Sequence, residues 1–362
     1  MAMPYGGDEE AWNWSRKVSS ARWFQTTEAS LVTGSWDACG CDQQNKVAVW
    51  DHAADERGEV AWRLQCEATM CGDVTDVLPT ESSGLRRGIV ACSSSGRVRR
   101  FELPEHGCDE LLELPDVHKP HTAPATSVHT FGTQLASAAE DGSIFLSDLA
   151  AGGPGGVRDL CLAGAAPVNA VLFRSADQLL AVGSCPSSHL QLWDTRSGAV
   201  AQRFRDEGAA VSYQCVECYG MNVSCGTADG SAVLWDLRAP RERMFAAKIH
   251  RGAVRDMRRY GSKSLLTCGD DGRVIASTFG EGEKFDVKYG SQEQRAPPQY
   301  LSDFGALKSS TVVEWEGIGA EANFPMNSLD VHSRSNAIVG ASDGRFFVTL
   351  ASGGQGLANF AR

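Results

Sequence analysis

The feature that most constrains this chain is a short string that keeps returning. Leu190-Gln191-Leu192-Trp193-Asp194 is followed, 42 positions on, by Ala232-Val233-Leu234-Trp235-Asp236. An earlier copy is Lys46-Val47-Ala48-Val49-Trp50-Asp51, and a weaker one is Ser143-Ile144-Phe145-Leu146-Ser147-Asp148. A second string of small residues ends in a tight turn: Ser137 to Gly142, Cys225 to Gly230, Thr267 to Gly272, Ala341 to Gly344 and Ala91 to Gly96. Repeated units pack mainly on their neighbours, so 362 residues need not divide into two ordinary domains.

Inside each unit the local signals are those of strands. Asp141-Gly142, Asp229-Gly230, Asp271-Gly272 and Asp343-Gly344 predict two-residue hairpins in which both central residues take positive φ. These aspartates read as turn formers that hydrogen-bond locally rather than as paired catalytic carboxylates. Seven units centre on Leu31 to Asp51, Ile89 to Phe101, Leu135 to Asp148, Leu179 to Asp194, Val223 to Asp236, Leu265 to Thr278 and Ile338 to Leu350. Short alternating runs precede them, such as Val74 to Leu78, Val168 to Phe173 and Val254 to Met257, and these are the expected innermost strands. Four short strands per unit at this period predict an all-β, seven-bladed WD40-type β-propeller, one domain over 1–362.

Three local expectations follow. Trp50-Asp51, Trp193-Asp194 and Trp235-Asp236 end third strands, where the ring is structural and its N–H needs a buried partner. The tryptophan is lost in four units, with Arg100, Ser147, Ser277 and Thr349 near its place, and His250 and His121 are the nearest candidates for the histidine that often opens such a unit. The last unit supplies only three strands, so Ala11 to Lys17 is expected to add the fourth and leave no free sheet edge. About 30 residues are surplus between the third-strand ends near Ser277 and Thr349, which makes 280–324 an excursion from the sixth blade. Within it Thr311 to Trp315 reads as a strand able to supply that blade's outer edge. Tyr289 to Ser310, with Pro297-Pro298, reads as a surface loop and the place for partner contact.

Composition narrows the function. The net charge of −11 argues against a nucleic-acid surface, and the runs Arg97 to Arg100 and Arg255 to Arg259 are too short to reverse it, reading as solvated strand edges and loops. Met1 to Glu10 lacks the apolar run of a signal peptide, and no stretch is long and apolar enough for membrane insertion. Twelve cysteines are too few for a disulfide scaffold, so a reducing compartment is expected. Cys215-Val216-Glu217-Cys218 has metal-motif spacing but lies in a strand-like stretch, where residues three apart point to opposite faces, so neither a metal nor a disulfide is expected there. Cys39-Gly40-Cys41 has no partners in range. Gly152 to Gly156 lacks the lysine and helix of a phosphate loop. Nothing assembles a nucleophile, base and orienting group, so no enzyme activity, cofactor or small-molecule substrate is expected.

Two strings, Trp193-Asp194-Thr195-Arg196 and Trp235-Asp236-Leu237-Arg238, resemble the box by which some WD40 proteins dock on the cullin-4 ligase adaptor. Arg196 and Arg238 are therefore candidate protein-contact residues, against the plainer reading of an Asp-capped turn with a solvated arginine. A broader likeness covers nearly the whole chain in patches. Arg16 to Trp23 followed by Thr33-Gly34-Ser35-Trp36-Asp37 resembles the opening of the nucleoporin-forty-three family, the small propellers of the nuclear pore's Y-shaped outer-ring complex. Gly72 to Val77 with Ile89 to Gly96 is similar to that family's second blade. Asn327 to Val331, Ile338 to Gly340 and Phe347 to Thr349 are similar to its last. The resemblance implies a non-catalytic scaffold at the nuclear envelope that binds other nucleoporins of the Y complex, notably nucleoporin-eighty-five, and supports mRNA and protein transport. A ligase substrate receptor and a generic peptide-binding propeller are the alternatives.

Overall fold

The computed structural model describes residues 9–13, 17–25, 30–36, 44–54, 60–80, 87–104, 109–117, 120–151, 158–161, 166–184, 189–204, 211–260, 264–279, 307–313, 324–335, 337–343 and 346–350. Its elements are strands throughout, and no helix occurs among the described residues. The strands form seven four-stranded antiparallel sheets. Strand β1 (Glu9–Asn13) belongs to the last of them. Blade one is β2 (Lys17–Trp23), β3 (Ser30–Trp36), β4 (Asn45–Ala54) and β5 (Val60–Met70). Blade two is β6 (Val74–Thr80), β7 (Gly88–Ser93), β8 (Val98–Glu102) and β9 (Leu112–Asp116). Blade three is β10 (Ala125–Phe131), β11 (Gln134–Ala139), β12 (Ser143–Asp148) and β13 (Arg158–Cys161). Blade four is β14 (Val168–Ser175), β15 (Gln178–Gly183), β16 (Leu190–Asp194) and β17 (Ala199–Phe204). Blade five is β18 (Tyr213–Tyr219), β19 (Asn222–Thr227), β20 (Ser231–Asp236) and β21 (Phe245–Lys248). Blade six is β22 (Val254–Tyr260), β23 (Ser264–Gly269), β24 (Val274–Phe279) and β25 (Leu307–Val313). Blade seven is β26 (Met326–Val331), β27 (Ile338–Ser342) and β28 (Phe346–Leu350), completed by β1.

Both faces of each sheet are covered by neighbours, which makes this a β-propeller. Its apolar side chains gather between adjacent blades rather than in one core. Phe24, Val49 and Met70 of blade one meet Val77 and Phe101 of blade two. Leu180 and Phe204 of blade four meet Val223 and Trp235 of blade five. Val18 and Leu31 meet Val339 and Ala341 across the join between blades one and seven. The second strands are accordingly buried along almost their whole length, as in β7, β19 and β23. A strand covered on both faces reads as a continuous apolar or small-residue run rather than an alternation.

The innermost strands share a feature that sequence reading missed. Each skips one residue in its register with its partner near its start: Val18/Ser20, Val74/Asp76, Ala125/Ser127, Val168/Ala170, Tyr213/Cys215, Val254/Asp256 and Met326/Ser328. Such a bulge leaves one residue unpaired and sharpens the local twist. In four of the seven blades the freed residue reaches sideways to the next blade. Thr75 Oγ1 donates to the carbonyl of Ala125 (2.6 Å), Thr126 Oγ1 to Val168 (2.7 Å), Asn169 Nδ2 to Tyr213 (2.6 Å) and Asn327 Nδ2 to Val18 (3.0 Å). The residue after it takes an N–H from the same neighbour. Val128 N donates to Asp76 Oδ2 (3.2 Å), Leu329 N to Asp256 Oδ2 (3.0 Å) and Ala21 N to Ser328 Oγ (2.8 Å), the last closing the ring.

Several expectations are corrected. The strand completing blade seven is Glu9–Asn13, which pairs with Leu350 to Phe346. Lys17 instead begins β2 opposite Trp36 and stacks its ammonium 4.6 Å from that ring, which ties it to blade one. The outer strand of blade six is Leu307–Val313, earlier by four residues than the run chosen for it; Trp315, Gly152 to Gly156, Cys39, Cys41, Gly344 and Ser291 to Gln299 lie outside the described residues. The turns are three-residue loops rather than two-residue ones. Gly142 N donates to the Ala139 carbonyl (3.1 Å) and Gly230 N to that of Thr227 (3.2 Å), so the left-handed residue is the glycine that follows an ordinary turn, with φ of 80° and 91°. Gly272 (72°) and Gly96 (78°) repeat this. A side chain at Gly230 would also strike the carbonyl of His250, which approaches to 2.3 Å of where a Cβ would stand.

Candidate functional site

The tryptophan place is fixed by cross-strand pairing. Trp50 faces Leu31, Trp193 faces Leu179 and Trp235 faces Val223. The same place holds Ser147 opposite Leu135 and Ser277 opposite Leu265, as expected. In blades two and seven, however, it holds Phe101 opposite Ile89 and Leu350 opposite Ile338, not Arg100 and Thr349. A one-residue offset reverses the face of a strand, so an arginine was placed where an aromatic ring stands.

All three tryptophans are buried, but only one meets the requirement placed on it. Trp50 Nε1 donates to Thr33 Oγ1 at 2.8 Å. Trp193 Nε1 and Trp235 Nε1 are buried with no hydrogen-bond partner among the described residues. The cause lies on the second strand, where Ala181 and Cys225 occupy the position of Thr33 and offer no oxygen. Blades three and six use a different device. His121 Nε2 lies 2.9 Å from Ser137 Oγ and its Nδ1 2.6 Å from Ser143 Oγ, while the ring stacks on Phe145 at 4.2 Å. His250 Nε2 lies 3.0 Å from Thr267 Oγ1 and its Nδ1 2.8 Å from Asp271 Oδ1. The His250 grouping has the order of a hydrolytic triad, carboxylate to imidazole to hydroxyl, while at His121 the Ser143 hydroxyl stands between the ring and Asp141. Ser137 and Thr267 are both 0% exposed, so neither hydroxyl can meet a substrate. In these two blades Ser147 and Ser277 replace the tryptophan, and their buried hydroxyls have no partner among the described residues.

The turn aspartates act locally and one step beyond. Asp141 accepts from Ser143 and, across the loop, from Thr122 N (2.9 Å) and Oγ1 (2.6 Å). Asp229 accepts from Ser231 N (3.2 Å) and Thr227 Oγ1 (2.5 Å). Burial opposes ionisation at Asp141, Asp229 and Asp271, but these hydrogen bonds win and hold the carboxyls below their ordinary range. Asp343 accepts from Trp36 Nε1 (3.1 Å) and Asn327 Nδ2 (2.6 Å), a tie between the last blade and the first. Asp51 begins the outer half of β4 opposite Ser30.

Asp194 and Asp236 cap their turns by accepting the backbone N–H of Arg196 and Arg238, each at 2.9 Å. The arginines fold back on the same carboxylates. Arg238 is bidentate on Asp236 (2.9 and 2.6 Å), and Arg196 lies 3.4 Å from Asp194 and 3.7 Å from Asp177. Their side chains stay 57% and 72% exposed. The thiols of Cys215 and Cys218 face different blades, one packing towards Val254 and Met257 and the other towards blade four. Burial pushes Cys215 well up and Cys218 to about 11, so neither is a reactive thiolate near neutrality.

The inner strands surround a cavity of about 620 Å³ that sequence reading did not single out. Four residues beyond each bulged start, a ring of side chains faces it: Arg22, Leu78, His129, Leu172, Glu217, Arg258 and Asp330. Arg22 reaches Asp256 (2.9 Å) in blade six and Asp76 (3.4 Å) in blade two. Arg258 reaches Asp256 (2.8 Å) and Asp330 (3.4 Å). Asp256 thus bridges both guanidiniums while its second role is to accept Leu329 N. Burial pushes Asp76 and Glu217 upward against the nearby arginines. Burial, then Arg258 and Arg22, lowers His129 to about 4, and its Nδ1 accepts Phe173 N at 3.2 Å. The basic run Arg255 to Arg259 is therefore no solvated edge. Arg258 is part of the channel, Arg255 pairs with Asp270 (2.5 Å), and Arg259 lies over the Tyr219 ring. Aligning the seven inner strands on their bulges would have found this ring in the sequence; reading each strand alone did not.

No protein-family model matches this chain, and no curated protein sequence matches it.

Proposed function

We propose that this chain is a non-catalytic protein-binding scaffold, a seven-bladed WD40-type propeller, with no cofactor, no small-molecule substrate and no direct nucleic-acid partner. The observation that supports it best is the use made of the groups that could do chemistry. Both ring nitrogens of His121 and His250 are occupied, the strand hydroxyls of Ser137 and Thr267 that they meet are fully buried, and the candidate thiols are held protonated. What remains accessible is rim, loop and channel mouth on a rigid frame, the usual setting for recognition. The patches that resemble the nucleoporin-forty-three family favour, within that class, a subunit of the Y-shaped outer ring at the nuclear pore, bound to a helical-stack nucleoporin such as nucleoporin-eighty-five. Affinity capture of the full chain from nuclear extract tests it: co-purification of helical nucleoporins is the expected outcome, and their absence under conditions that recover other Y-complex members overturns it.

A ligase-receptor reading keeps one observation in its favour: Arg196 and Arg238 stand exposed in matching places on blades four and five. Docking on an acidic adaptor would have to compete with Asp194 and Asp236 for them. Capture of the cullin-4 adaptor by the wild type, lost in an Arg196→Ala/Arg238→Ala double variant, would replace the first reading with this one.

A further inference from the structure

The channel holds an imbalance of charge that its own residues do not resolve. Four carboxylates line it, Asp76, Glu217, Asp256 and Asp330. Of the lining cations, Arg255 is engaged by Asp270 on the rim, which leaves Arg22 and Arg258. Both are fully used. Arg22 is bound by Asp256, Asp76 and the carbonyls of Ala21 and Leu329; Arg258 is bound by Asp256, Asp330 and the carbonyl of Met257. Glu217 is the channel carboxylate with no ion pair among the described residues. One of its oxygens accepts only its own neighbour's N–H, Cys218 N at 3.0 Å. His129 cannot serve as a counter-charge, because burial and the two arginines keep it neutral.

Glu217 also sits at a boundary. On one side of it in the ring stand Arg258, Asp330 and Arg22; on the other stand Leu172, His129 and Leu78. Beyond the ring, Phe131 lines the mouth at the end of β10 and is 45% exposed. The mouth thus offers a carboxylate at depth, an aliphatic wall beside it and aromatic surface outside.

We propose that this mouth receives a lysine side chain carried on an extended segment of a partner protein, its ammonium seated against Glu217, its stem along Leu172 and a flanking apolar residue on Phe131. An aliphatic stem with a terminal cation suits a wall of this kind, and one added positive charge reduces the excess of carboxylate without displacing either arginine. The assignment rests on the protein-binding reading above, and its test reports on the channel alone, whatever large partner is captured.

The probe is the peptide acetyl-Leu-Lys-Leu-amide, followed by saturation-transfer NMR and by titration to roughly 10 mM, the range in which single-residue contacts bind. The full-length protein should bind it, and raising the salt from about 0.05 to 0.5 M should weaken it several-fold. Acetyl-Leu-norleucine-Leu-amide should bind at least tenfold more weakly. Glu217→Gln should weaken the lysine peptide about tenfold while the melting temperature holds or rises; Glu113→Gln, on the outer strand of blade two, should change nothing. Absence of binding by the wild-type protein, equal binding of the norleucine peptide, tighter binding of acetyl-Leu-Arg-Leu-amide, or full affinity in a folded Glu217→Gln variant each overturns the assignment.

Discussion

Blades three and six are braced by a histidine, and blades four and five by a tryptophan. In the first pair a loop histidine threads inward and satisfies a strand hydroxyl, with Asp141 or Asp271 behind it, while the tryptophan place shrinks to serine. In the second pair a large ring fills the same space, but its N–H is left without a partner because Ala181 or Cys225 faces it. Blade one stands between them, with a tryptophan that does bond, to Thr33. A buried ring delivers stability through area, whereas a buried polar bridge delivers it only if every member is present. The two kinds of blade should therefore respond differently to the same class of substitution.

The largest effect should come from Trp235→Ala, which opens a cavity between blades four and five and should cost about 3–5 kcal/mol, read as a shift in urea midpoint at unchanged slope. If Trp235→Ala kept its full stability and lost a partner, the ring would belong to an interface. Next is His250→Ala. It removes two hydrogen bonds, one of them to a carboxylate, while Asp271 keeps its backbone donors and Thr267 its bond to the Ile275 carbonyl, and should cost about 2 kcal/mol. It should also alter acid sensitivity. The Asp271 carboxyl is held below its ordinary value by His250 and by backbone donors against the opposing effect of burial. Its stabilising contribution is therefore full above the unfolded value of about 3.9 and is lost as pH falls through the folded one; the variant should show less of that loss.

Smaller changes sharpen the contrast. Trp50→Phe breaks a real hydrogen bond and strands Thr33 Oγ1, whereas Trp235→Phe breaks none, so the first should cost about 1 kcal/mol more than the second. Equal costs would mean that the Thr33 bond contributes nothing. In the opposite direction, Cys225→Thr offers Trp235 the oxygen that Thr33 offers Trp50, and a gain of up to about 1 kcal/mol is expected in thermal unfolding. The last effect appears only on acidification. His129 stays neutral in the folded chain down to about 4, while an unfolded histidine protonates near 6.5, so wild-type stability should decline as pH falls through that window. His129→Asn should flatten part of that slope.

Legibility in the sequence followed length scale. The period and the apolar second strands were readable because small residues must run uninterrupted where a sheet is covered on both faces, as at Val223 to Gly226. Turn positions were readable from Asp-Gly, though not the loop length, since the same pair serves a two-residue and a three-residue hairpin. Phase within a strand was less secure: Arg100 was chosen over Phe101 because the third strand of blade two carries no tryptophan to set the register. The candidate site was the least legible. Each inner strand reveals only one of its members, such as Glu217 in a stretch that drew attention for its cysteines. The ring exists only once seven strands are superposed on their bulges. The partner of each tryptophan was likewise invisible, because it depends on one residue of the adjacent strand.

The join in blade seven carries a consequence for synthesis. Glu9–Asn13 finds its hydrogen-bonding partners only in Phe346–Leu350, nearly the whole chain away. The earlier blades can assemble in order as they leave the ribosome, each on the one before. The first-made strand must wait, unpaired, until the segment around residue 350 has emerged, and the open end of blade one waits with it. Pairings of such high sequence separation are slow, and an edge exposed for so long can join the wrong chain. A ring that is rigid when finished is thus a gap to be guarded for most of its birth, and the guarding falls to whatever holds the nascent ends apart.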